Sequence, residues 1–136
     1  YLIRNTKSLQ GREELFVALN EACNDVAYVL GREFSVLEDI QQTANPGINA
    51  TIKDRYFNSA CATPAVIFPV LYKLKNSHVR KLSVGNAIYF EKILTSLQAK
   101  LPAEGLPLRL TLEQQGKFIL GYYHQTQKRY EKKGEE

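Results

Sequence analysis

"DVAYVLGREFSVLEDIQQTANPG", residues 25–47, decides how the rest of the chain is read. Val26, Leu30, Leu37, Ile40 and Ala44 recur at spacings of three, four and seven, which places them on one face of an α-helix. Asn24 supplies an N-cap ahead of the run, and Asn45-Pro46-Gly47 ends it, because proline has no N–H with which to continue the ladder. Glu33 falls at a core-facing angle between Leu30 and Leu37, where an apolar residue is expected. It therefore predicts either a cation partner or a contact with another chain.

Working outward, helical periodicity continues. Upstream, "ELFVALNEAC" (14–23) fits an earlier helix or an extended lead-in, with helix preferred. Downstream, "TIKDRYFNSACA" (51–62) sets Ile52, Tyr56 and Ala60 one turn apart. Thr63 then caps a helix with Pro64 at its first position, where a missing N–H costs nothing. That helix is expected to run to about Leu82, with Ile67, Leu71, Leu74, His78 and Leu82 on one face and Pro69 opposite, kinking toward solvent. "SVGN" (83–86) breaks the pattern. A further helix spans Ala87 to Lys100 with Ile88, Phe90, Ile93, Leu94 and Leu97 inside, and "LPAEGLP" is a turn-rich connector. The last helix opens with a capping box, Thr111 and Gln114. No segment alternates with strand period. The expected fold is all-α, a compact bundle of about five helices over residues 24–131, with 1–23 as a lead-in and 132–136 as a flexible charged tail.

Length and composition bound the function. One domain of 136 residues can enclose a modest core without staples. Hydrophobic residues at 44% and charged residues at 24% are ordinary for a globular protein, and no run of eighteen apolar residues offers a membrane span. "YLIRNTKSLQ" lacks a signal pattern. Met is absent even at position 1, so the chain is expected to be trimmed or cut from a longer product. Cys23 and Cys61 are far apart and read as reduced thiols; with His78 and His124 they offer no zinc-ligand spacing, and no cofactor is expected.

The net charge of +4 hides a polarity. Residues 1–48 carry four basic and seven acidic groups, residues 49–100 eight against two, and residues 101–136 six against five. Basic charge gathers in the middle, which suits contact with a polyanion along one side as well as a solvated helical surface. Lys73 and Arg80 share a helix sector with Asn76 and Ser77, and Lys53 and Arg55 precede them with Tyr56 and Phe57 interleaved. Such groups neutralise phosphates and bond their oxygens without reading sequence.

On the last helix Leu112, Gly116, Ile119, Tyr123 and Tyr130 are expected to face the core. Lys117, His124 and Lys128 form an outer ridge, with Arg129 in the same basic cluster. Gly121 lies in that polar sector, either because another backbone approaches closely or because the position is exposed. Enzymatic readings fare poorly: His124 has no acidic neighbour on its face, and no phosphate loop, HExxH or GxSxG is present. Asp54 and Arg55 read as an ion pair positioning two helices, and His78 as a packed histidine among leucines.

Three blocks, "AYVLGREFSVLEDIQ", "NPGINATIKDRYFNSACATPAVIFPVLYKL" and "LTLEQQGKFILGYYHQTQ", together resemble the C-terminal helical region of the type I-C CRISPR Cascade large subunit. The likeness covers about residues 24–127, and in that family the same region is also made as a free small subunit. The resemblance implies a helical bundle in a cytoplasmic prokaryotic ribonucleoprotein. Its partners would be the backbone and large subunits, neighbouring copies of itself and the crRNA-containing complex. It would hold target DNA, including the displaced strand, through Lys53, Arg55, Lys73 and Arg80 and through the last-helix stripe of Lys117, His124, Lys128 and Arg129, which would border the DNA path or a neighbouring subunit, while the guide RNA reads sequence by pairing. Cleavage would fall to a separately recruited helicase-nuclease, so the chain itself is expected to be non-catalytic. A protein-only scaffold, with basic ridges against acidic subunit surfaces, is the alternative.

Overall fold

The computed structural model describes residues 19–135, with side chains described through Glu131. The helix or lead-in expected before Leu19 lies outside the described residues. Five helices follow: α1 (Val26–Ala44), α2 (Ile52–Ala62), α3 (Pro64–Val79), α4 (Val84–Gln98) and α5 (Leu112–Glu135). No strand occurs among the described residues. The all-α bundle is as the periodicity requires.

Four of the five described helix starts carry side-chain caps. Asp25, not Asn24, caps α1: its carboxylate accepts from the Ala27 and Tyr28 amides at 3.0 and 3.3 Å. Thr51 and Asp54 form a reciprocal capping box on α2, so Asp54 serves the helix start rather than pairing with Arg55. α3 opens at Pro64 without the expected Thr63 cap, because the Thr63 hydroxyl turns back to donate to the Ser59 carbonyl at 3.0 Å; the helix ends at Val79, short of Leu82, and Pro69 sits inside it on the exposed side. "SVGN" proves to be a helix start instead of a break. The Ser83 hydroxyl accepts from the Asn86 amide at 3.2 Å, and Val84 begins α4. Thr111 and Gln114 exchange bonds of 2.8 and 3.2 Å at the start of α5, the expected box. α5 runs on through Glu135, across the tail boundary expected at 132.

α1 is the axis of the bundle, buried on every side from Ala27 to Gln41. Leu30, Phe34, Leu37 and Ile40 enter the core with Phe68, Leu71, Phe90, Leu94, Leu97, Phe118 and Tyr122 from the surrounding helices. Each such side chain contributes roughly 1.5–3 kcal/mol of burial. Phe34, Phe57, Phe118 and Tyr122 meet edge-on at centroid separations of 5.0–6.1 Å, knitting α1, α2 and α5 together. Ile88, expected inside, is exposed. The connector after α4 straps the α2–α3 junction, with Ala65 donating to the Pro107 carbonyl at 3.1 Å and Leu110 to that of Ala62 at 3.0 Å.

Candidate nucleic-acid interface and the polar seam behind it

α1 and α5 run in the same direction, with contacts stepping in register from Asp25–Lys117 through Tyr28–His124 to Gln42–Arg129. They approach closely enough that their side chains cannot separate the backbones. The space for a Cβ on Gly31 is filled by the Phe118 carbonyl and the Tyr122 amide, and that on Gly121 by the Tyr28 carbonyl. Of the two readings of Gly121, close approach is the correct one.

This packing turns α5 relative to the sequence expectation. Leu112, Gly116, Ile119, Tyr123 and Tyr130 face outward, with Tyr123 51% and Leu112 85% exposed. Gly121, Tyr122, His124, Gln125 and Arg129 face inward. The seam they make with α1 is polar. Tyr28 and His124 Nδ1 share a 2.7 Å hydrogen bond, Arg32 Nε donates to Gln125 at 3.0 Å, and the Ser35 and Thr126 hydroxyls meet at 2.7 Å. Arg129 donates to the Ser35 carbonyl at 2.7 Å, to Glu38 at 3.2 Å and to Gln42 at 3.3 Å. Glu38 also accepts from Tyr122 and, at 2.8 Å, from Thr51 at the start of α2. That carboxylate helps push the Tyr122 phenol pKa up, after burial itself. Burial works against the Arg129 charge, but Tyr130, Asp39 and Glu38 outweigh it and lift its pKa.

His124 and Arg129 are therefore interior structural residues, not members of an outer ridge. Lys117 and Lys128 do lie outside, and each is engaged with an acid preceding α1, Lys117 with Asp25 at 3.3 Å and Lys128 with Glu21. On the other side of α1, Glu33 is fully buried and meets neutral donors instead of the expected cation. Tyr72 and Gln98 each donate to it at 3.2 Å. Burial pushes its pKa up to about 7, against these bonds and the Lys75 charge, which pull it down.

The remaining candidates lie on α2, α3 and the turn after α3. Lys73, Asn76, Ser77 and Arg80 share one sector, and the structure leaves that sector on the outside of the bundle. Of the two acids in residues 49–100, Asp54 is held by the Thr51 amide and Glu91 pairs with Lys75 at 3.5 Å. Lys53, Arg55, Lys73 and Arg80 form no salt bridge among the described residues. The Lys53 ammonium rests 5.0–5.7 Å from the Tyr122, Tyr123 and Phe57 ring centres. Its Nζ donates to the Tyr123 hydroxyl at 3.4 Å, which fixes it beside a half-exposed ring. His78 is partly buried, and burial lowers its pKa. Cys23 and Cys61 are both free.

Fold and surface define an all-helical protein with a polar seam inside and a basic face outside whose cations form no salt bridge among the described residues, and none of its described helices is long and apolar enough to cross a membrane. The chain belongs to the CRISPR-associated protein family Cas_Csd1, whose model matches residues 1–130. This is the type I-C family to which the three sequence blocks point. Among curated proteins no relative matches.

Proposed function

We propose that the chain acts as a non-catalytic small subunit of a type I-C Cascade, holding the backbone of target DNA, above all the displaced strand. The observation that carries this reading is the α3 face. Lys73 and Arg80 stand on the outer sector beside Asn76 and Ser77, and both acids of the same stretch are engaged elsewhere. Lys53 and Arg55 extend the positive surface onto α2, with Tyr123 available for stacking against a base. Sequence-blind contact of this kind suits a complex in which RNA pairing selects the target.

The test is filter binding of single-stranded DNA by the assembled complex across a salt series. Lys73→Glu with Arg80→Glu should weaken binding and flatten the salt slope by roughly one unit for each phosphate no longer neutralised, without altering guide-sequence preference. Unchanged binding at every salt concentration would return these residues to a solvated face. The scaffold reading draws support from one other observation, the outward stripe of Leu112, Ile119, Tyr123 and Tyr130 on α5. Loss of assembly, with DNA binding intact, on replacing Leu112 and Ile119 by Lys would favour it.

A further inference from the structure

Between α1, α4 and α5 lies a half-open cleft of about 330 Å³, at the small end of ligand-sized clefts. Four cations line it, Arg32, Lys92, Lys128 and Arg129, against two carboxylates, Glu21 and Asp39. The carboxylates are already committed: Glu21 to Lys128, and Asp39 to the Thr43 hydroxyl at 3.5 Å and the nearby Arg129 charge. Arg32 and Arg129 are each only 7% exposed.

Arg32 is the unusual member. Its Nε bonds the neutral Gln125 amide, while its Nη1 is buried with no hydrogen-bond partner among the described residues. Arg129 Nε is unpartnered as well. Burial pulls the Arg32 pKa down, and the neighbouring Tyr28 and Glu21 only partly restore it. A buried guanidinium that forms no salt bridge among the described residues is costly and calls for an anion. Lys92 stands exposed on α4 and lines the cleft, with no salt bridge among the described residues.

We infer that this cleft is a binding site for a phosphate group, which Arg32 and Lys92 take from opposite walls while Arg129 and the Ser96 hydroxyl lie alongside. Phosphate fits the donor set because a tetrahedral anion offers acceptors to several walls at once, and guanidinium groups match it in bidentate geometry. The phosphate is either free or part of a nucleic-acid strand. The site stands independently of the reading of α3, since it lies on other helices.

Inorganic phosphate titrated into the full chain at constant ionic strength is the test, followed by thermal unfolding and by 31P line broadening. The melting temperature should rise with phosphate concentration. Lys92→Glu, an exposed change that leaves the core alone, should raise the phosphate concentration required about tenfold or more, as should Arg32→Gln. Lys73→Glu on α3 should leave it unchanged. Phosphate that also displaces a bound oligonucleotide from the parent protein, but not from Lys92→Glu, marks the strand as the source; binding without displacement marks free phosphate. No response of the parent protein beyond that to chloride overturns the proposal, as does a response that Lys92→Glu retains in full.

Discussion

Gly31 on α1 and Gly121 on α5 are reciprocal: each occupies the place where the partner helix's backbone passes, Gly31 against Phe118 and Tyr122, Gly121 against Tyr28. Neither position has room for a methyl group. Gly31→Ala and Gly121→Ala should therefore each destabilise the bundle by about 3 kcal/mol, at the upper end for overpacking, because backbone has to move. Gly116 has open space around it, so Gly116→Ala should be neutral or stabilise by up to about 1 kcal/mol through helix propensity. Urea unfolding of the three variants measures the contrast, and equal effects at 31 and 116 would mean the seam is looser than described.

Arg129 and Lys128 are neighbours in sequence with opposite roles. Truncating Arg129 to Ala strands the buried Glu38 carboxylate and should cost about 3–5 kcal/mol. Lys128→Ala removes only an exposed pair with Glu21 and should change stability by less than about 1 kcal/mol. Denaturant midpoints separate the two outcomes clearly.

Glu33 gives the stability a pH dependence. Its pKa is about 7 in the folded chain against 4.5 for an ordinary Glu, so the folded state holds the proton more tightly. Stability from this group is complete below about 4.5 and falls as pH rises through 7, by on the order of 3 kcal/mol in full. Glu33→Gln keeps a neutral group between Tyr72 and Gln98 and should abolish this loss. Thermal unfolding at pH 5 and pH 8 should show the wild type losing ground to the variant at the higher pH.

Tyr123→Phe removes the hydroxyl that accepts from Lys53 but keeps the ring beneath the ammonium. Single-strand binding should survive it and weaken on Tyr123→Ala, by about 1–3 kcal/mol if a base stacks there. Equal losses from both changes would point to the hydroxyl rather than the ring.

The existence and order of α1–α5 are legible in the sequence because apolar spacing and capping residues act locally. Thr111 with Gln114 marks a start that the structure keeps through its side chains, and Pro64 marks another, although Thr63 bonds back to Ser59 instead of capping it. The face of α5 is not legible in the same way. Periodicity assigns the apolar stripe of Leu112, Ile119 and Tyr123 inward, and that rule holds where helices meet through dry side chains. Here two glycines bring the backbones together, and the short polar groups that bond across so narrow a gap lie inside. The signal is present as a pair, Gly31 within "GREFS" and Gly121 within "GYYHQTQ", each with bonding partners following it. Read separately, neither reveals the other. The α3 cations can be read directly, because exposure follows from their helical sector. Arg32 gives no such signal, since its significance lies in its burial without a salt bridge among the described residues, which only the folded chain reveals.

The seam also sets a schedule for the nascent chain. Tyr28 and His124 are 96 residues apart, and the other bonds between α1 and α5 span similar lengths. At a synthesis rate of about 5–20 residues per second, α1 waits on the order of 5–20 s for the helix that encloses it. During that interval Arg32, Glu38 and the apolar face of α1 lack their largest partner. A ribosome that stops before Leu112 releases a product whose axis was built to be covered by what never arrived, and such fragments should be cleared or aggregate rather than persist as a smaller bundle.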